Sequence, residues 1–160
     1  VAFSSLSKRS NVPGMRSGFV AGDAAILKKF LLYRTYHGCA MAPPVQTASV
    51  AAWNDEAHVL DNRDQYREKF AACTPLIAEV LGTGMPDASF YLWAKTPIAD
   101  TEFARGLLEH YNVVVLPGSF LAREVRGVNP GANFIRIALV ASLDECLEAA
   151  SRIRQFAQQL

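Results

Sequence analysis

Between Ser5 and Gly18 the chain gathers groups that could hold a phosphate monoester beside one that could bond an aldehyde. Ser5 and Ser7 carry hydroxyls able to donate short hydrogen bonds to anionic oxygen, and Arg16 offers a planar pair of N–H donors. Lys8 precedes Arg16 by eight residues. Its amine, once unprotonated, is a nucleophile that forms an imine with a carbonyl carbon. Gly14 and Gly18 keep side chains clear where a ligand would approach the backbone. The same residues would also suit a solvated loop in which Lys8 and Arg16 are ordinary surface charges, and a short motif decides little until its structural context is known.

Arg136 stands alone in the apolar run Phe134-Ile135-Arg136-Ile137-Ala138. An arginine in such a strand is commonly a partly buried ion-pair partner or an edge residue. His37, His58 and His110 are far apart and lack metal-ligand spacing, and the latter two are expected on helix surfaces. Tyr91 and Trp93 read as core and packing residues. The three cysteines, Cys39, Cys73 and Cys146, are odd in number and form no CxxC pair. That argues against a disulfide framework or a zinc site and fits a reducing cytoplasm. No metal is expected.

The elements that must position these groups can be read from periodicity and punctuation. Val1 to Phe3 reads as a strand end, followed by a polar loop holding Lys8, and Asn11-Val12-Pro13-Gly14 as a turn. Gly18 to Gly22 is expected to be a strand in a covered sheet. Asp23 can cap a helix with Ile26, Leu27, Phe30 and Leu31 on one face. Pro43-Pro44 precedes a helix from about Val45 to Trp53. A long amphipathic helix follows from about Glu56 to Leu81, which Pro75 should kink or divide. Strands are expected at Ser89–Ala94, Val113–Leu116 and Phe134–Val140, with a helix capped by Asp100 between the first two. Ser142-Leu143-Asp144-Glu145 is a capping box that opens a C-terminal helix running to about Gln158. The class is α/β, with an organisational break near residues 54–62.

With strand, lysine, turn, arginine and strand in that order, the segment resembles the lysine signature of class I/II aminotransferases, the fold type I pyridoxal-phosphate enzymes. Ser-x-Ser-Lys with an arginine eight residues on is the pattern of that family, and Ser17 departs from it where many members carry an aliphatic residue. Val113-Val114-Val115-Leu116-Pro117-Gly118-Ser119-Phe120 and Phe134 to Ala138 extend the likeness over essentially the whole chain. The resemblance implies pyridoxal 5'-phosphate as cofactor, bound to Lys8 as a Schiff base. It implies that Lys8 is also the catalytic acid and base, that Ser5, Ser7 and Arg16 bind the cofactor phosphate, and that Arg136 receives the substrate α-carboxylate. It further implies residues 1–57 as the C-terminal remnant of a large cofactor-binding domain with an interdomain helix, and residues 58–160 as a small C-terminal α/β domain.

Within the family, Ala88 to Ala94, Leu116 to Glu124, Gly127 to Gly131 and Tyr33 to Gly38 resemble bacterial N-succinyldiaminopimelate aminotransferases. That branch implies amino transfer between N-succinyl-LL-2,6-diaminopimelate and 2-oxoglutarate in lysine biosynthesis, with Arg34, Arg123 and Arg126 as candidates to read the succinyl carboxylate. It also implies a homodimer, to which the Ala40 to Gln46 loop could contribute a contact. Alternatives are an aspartate-, aromatic- or kynurenine-type aminotransferase, a C–S lyase, or a non-catalytic aminotransferase-like domain. The opening Val1-Ala2-Phe3, without Met, reads as the start of a fragment. Further family groups are expected before Lys8, so the chain alone is expected to be inactive.

Bulk properties remove other classes. The chain has 160 residues, a net charge of +1, 51% hydrophobic and 19% charged residues. This is a globular balance with no electrostatic case for nucleic acid or an anionic membrane, and no apolar run reaches bilayer length.

Overall fold

The computed structural model describes all residues, Val1–Leu160. They form two compact units, Val1–Arg63 and Asp64–Leu160.

In the first unit, strand β1 (Ala2–Ser5) pairs antiparallel with β2 (Gly18–Ala21), setting Ser5 opposite Gly18. A Cβ on Gly18 would lie 2.7 Å from the Ser4 carbonyl oxygen, so the close strand approach requires glycine there. Between the strands the chain makes a one-turn helix, α1 (Leu6–Arg9), and a 3₁₀ turn at Pro13–Met15. Leu6 is fully buried and its N–H donates to the Ser17 carbonyl. Lys8 therefore rides on a helical turn pinned by its buried neighbour, where the sequence suggests an open loop.

Helix α2 (Ala24–His37) starts at Asp23, whose Oδ1 accepts from the Ala25 and Ile26 N–H groups, both at 3.0 Å. This is the expected cap. Of the apolar face expected, Leu27 and Phe30 are half-buried while Ile26 and Leu31 are exposed; Leu32, Tyr33 and Tyr36 are exposed too, and the helix fully buries none of its residues. The β1–β2 ribbon is likewise largely exposed and not covered within this unit. Helix α3 (Pro43–Asn54) takes its prolines at the first turn, where no intrahelical N–H is lost.

Helix α4 (Ala57–Ala78) runs through the boundary between the units. The division falls at Arg63/Asp64, inside this helix. Pro75 does not divide α4: the one bond it forgoes is to the Ala71 carbonyl, and only three helical residues follow it.

The second unit has a three-stranded antiparallel sheet of order β3–β5–β4, from β3 (Tyr91–Lys95), β4 (Leu116–Pro117) and β5 (Phe134–Ala138). Val113 to Val115 lie outside the ladder, and Pro117, lacking an N–H, helps to keep β4 short. Helices α5 (Asp100–Tyr111) and α7 (Leu143–Ala157) supply Phe103, Leu107, Ile153 and Phe156 to a core with Leu92, Ala94, Ile135 and Ile137. Strand period two puts Leu92 and Ala94 inward, so Trp93 faces away from the core and is exposed, contrary to the sequence reading. A short helix, α6 (Gly118–Leu121), follows β4.

Asp100 is not the cap of α5; Ala99 holds that position and Asp100 is the first helical residue. Its buried carboxylate accepts instead from the backbone N–H groups of Ser119, at 2.8 Å, and Asn133, at 3.2 Å. One side chain thereby ties the start of α6 and the turn before β5 to α5. At α7 the capping box forms as read, with Ser142 Oγ accepting from Glu145 N–H and the Glu145 carboxylate accepting from Ser142 N–H. No helix is long and apolar enough to cross a membrane.

Candidate active site

The position of Lys8 follows from the local fold of the first unit. β1 ends at Ser5, the chain turns once about the buried Leu6, and the next exposed position is the lysine. Ser5, Lys8, Arg9, Gly18, Phe30 and Arg34 line one cavity of about 700 Å³. Lys8 and Arg9 also line a second, of about 440 Å³, together with Trp53, Val59 and Asn62. Ser5 and Lys8 are thus brought together.

Ser7 and Arg16 line neither cavity. Ser7 is half-buried. Arg16 occupies the left-handed region at φ 50° and its guanidinium donates to the Pro13 carbonyl at 3.0 Å. Ser17, the departure from the family pattern, is buried and accepts a hydrogen bond from Ser49 Oγ at 2.7 Å. The two buried hydroxyls thereby satisfy one another. Arg34 donates to the Cys39 carbonyl at 3.1 Å.

Several neighbours of Lys8 escape a reading based on sequence. Arg9 donates to the Ala52 carbonyl at 2.9 Å, pairs with Glu56 and lies 4.8 Å from the Trp53 ring centroid. Ser10 Oγ is 2.8 Å from His58 Nε2, and His58 Nδ1 is 3.0 Å from Asp55 Oδ2. The hydrogen bond from His58 and that from the Ala57 N–H hold the Asp55 carboxyl below its usual range. His58 is therefore half-buried and doubly bonded rather than a free helix-surface residue. Asp55 three residues before His58 at a helix start is the only local signal in the sequence; the partner Ser10 lies 48 positions away.

The second unit holds Arg136 at the centre of its sheet. On β5 it is registered opposite Trp93 of β3 and Leu116 of β4. Its Cζ lies 5.5 Å from the Tyr91 ring centroid, and Trp93 stacks on Phe134 at 5.7 Å. The Arg136 Nε is buried without a hydrogen-bond partner. A buried cationic donor left open is costly unless an anion satisfies it. The sheet face opposite the core thus offers aromatic walls around an unmatched guanidinium N–H. Arg123 and Arg126 are exposed. No group of His, Cys, Asp and Glu suited to a metal is present.

The model of the family described as "Aminotransferase class I and II" matches residues 1–153. Among curated proteins, the probable aminotransferase Rv1178 of Mycobacterium tuberculosis is 34% identical over 154 residues, covering 96% of this chain and 35% of its own length. Among solved structures, an aminotransferase from Neisseria meningitidis superposes with a TM-score of 0.88 at 58% identity, covering 96% of this chain and 39% of that one. A probable N-succinyldiaminopimelate aminotransferase from Thermus thermophilus gives a TM-score of 0.83 at 33% identity, covering 96% and 41%. The chain therefore spans about two fifths of the length of these proteins.

Proposed function

Because the chain belongs to the class I and II aminotransferases, a fold type I pyridoxal-phosphate family, we propose that the protein containing it moves an amino group between an amino acid and a 2-oxo acid, with Lys8 as the reacting amine. The observation that carries this reading is the shared cavity of Ser5, Lys8 and Gly18, placed by one strand pair and one helical turn. A hydroxyl and an amine on one wall belong to the donor set that a phosphorylated aldehyde needs.

Pyridoxal 5'-phosphate supplies, when bound, an electron sink for negative charge developing at the substrate α-carbon. The chain's own residues supply binding and proton movement. Ser5 and Ser7 would donate hydroxyl hydrogen bonds to the phosphate oxygens, and the Arg16 guanidinium would pair with the same group. The Lys8 amine would take the proton from the substrate α-carbon as general base and release it again as general acid. Arg136 holds the α-carboxylate, which satisfies its open Nε–H. In this reading residues 1–57 are the end of the large cofactor-binding domain and residues 58–160 the small domain.

The finer substrate we propose is N-succinyl-LL-2,6-diaminopimelate with 2-oxoglutarate as acceptor, in lysine biosynthesis, by a cytoplasmic homodimer. The likeness to the Thermus protein supports it. Arg34 is the favoured reader of the succinyl carboxylate among the three candidates, because it shares the Lys8 cavity. The test uses the full-length protein. A near-visible absorbance band, bleached by borohydride and missing in Lys8→Ala, is expected, with glutamate formed from 2-oxoglutarate when the succinylated donor is supplied. A wild-type protein without the band, or one whose band survives Lys8→Ala, would refute the assignment. Turnover with other amino acids but not the succinylated donor would remove only the finer substrate.

A further inference from the structure

The assigned chemistry leaves one group of half-buried and exposed polar side chains without a role. It begins at the residues that follow Lys8, each of which reaches the segment around the junction of α3 and α4. Arg9 binds Ala52, Trp53 and Glu56, Ser10 binds His58, and the Asn11 amide donates to Asn62 Oδ1 at 2.8 Å. The Ser10 link is the one with depth: Asp55 accepts at Nδ1 of the same imidazole, and its other oxygen accepts from the Ala57 N–H at 2.9 Å. With Asp55 accepting a hydrogen bond from Nδ1–H, neutral His58 presents a lone pair at Nε2 and accepts from the Ser10 hydroxyl. Protonated, it donates to the same oxygen. The connection persists in either state.

α1 needs such a connection. A single helical turn gains too few backbone bonds to hold its own geometry, and the chain leaves it through Asn11 at φ 54°. Its orientation therefore depends on Leu6 beneath and on the side chains beyond Lys8. We infer that Asp55, His58 and Ser10 form a positioning relay that fixes the one-turn helix bearing Lys8 against the α3–α4 junction, so that the amine keeps one orientation towards its cavity. This rests on Lys8 being the cofactor lysine, and these three residues act through α1 without touching substrate.

The experiment takes the full-length protein, wild type and as Ser10→Ala, His58→Leu and the double variant. In the cofactor-free form, hydrogen exchange is followed on a peptide covering residues 6–12. Each single variant is expected to raise its exchange about fivefold, the scale of one lost hydrogen bond in a local opening, and the double variant no further. In the loaded form, the visible circular dichroism per bound cofactor, which reports how the chromophore is held, is expected to fall in both single variants and equally in the double. Unchanged exchange, additive effects, or an unaltered visible signal overturns the relay. Should His58→Leu lose its fold, Ser10→Ala, which removes a single oxygen, carries the test. A wild type lacking any visible band sinks the assignment of Lys8 instead, and the exchange measurement still decides whether the relay holds α1.

Discussion

Arg136 carries the sharpest consequence at the scale of single residues, because its open Nε–H has opposite effects on folding and on binding. A buried unsatisfied donor destabilises the chain, so Arg136→Leu is expected to keep or raise the thermal midpoint. The same change strands the substrate carboxylate and should lower kcat/KM of the full-length enzyme about 100-fold or more. A parallel loss of stability and activity would mean that Arg136 is a structural ion-pair residue. The cysteines give a second test. Burial pushes the Cys73 thiol up to about 11 and raises that of Cys146, while Cys39 is exposed. Since the thiolate is the reactive form, a thiol reagent at neutral pH should modify Cys39 alone in the native protein and all three in denaturant. Rapid native labelling of Cys73 would contradict the packing described for α4.

Among the elements, the sheet of the second unit depends on Asp100. Burial alone would raise its carboxyl, but the hydrogen bonds from Ser119 and Asn133 outweigh that and leave it below its usual value of 3.8. A carboxyl depressed by folding contributes stability that is present above 3.8 and is lost as pH falls through the lower folded value. Acid unfolding of this unit should therefore begin below about pH 4, and Asp100→Asn should flatten that limb. The amide keeps one acceptor but turns an N–H₂ towards the other backbone donor, so a loss of about 1–3 kcal/mol is expected in denaturant titrations. No single residue near Asp100 announces this role. Asp before Thr101-Glu102 reads as an ordinary helix cap, and its partners lie 19 and 33 positions away. Local signals were legible where they close locally, as with Asp23 over α2 and the Ser142–Glu145 box. Lys8 and Arg136 were singled out because their neighbours in sequence carry the pattern. The α1 turn, the Ser17–Ser49 pair and the His58 bridge were not, because each depends on a partner brought in by the fold. Trp93 was misplaced for a related reason: alternation fixes that Tyr91 and Trp93 share a face, but not which face is inward.

The two units, taken over the whole molecule, differ in what they bury. Residues from Phe70 to Phe156 form a continuous apolar core, whereas Val1–Arg63 buries only Leu6 and Val59 among its large apolar side chains. At about 1.5–3 kcal/mol for each fully buried side chain, two such residues cannot offset the conformational entropy of ordering that unit. Meanwhile Phe19, Ile26, Leu31, Leu32 and Tyr36 stand exposed in it. A fragment of residues 57–160, which keeps α4 whole, is therefore expected to melt in one cooperative transition and to resist proteolysis. A fragment of residues 1–63 should show no cooperative melt and should bind a hydrophobic dye. Circular dichroism melts and dye fluorescence on the two fragments decide the matter. A cooperative transition in residues 1–63 would mean that this unit, with Asp55 and His58 included, orders itself without residues 64–160.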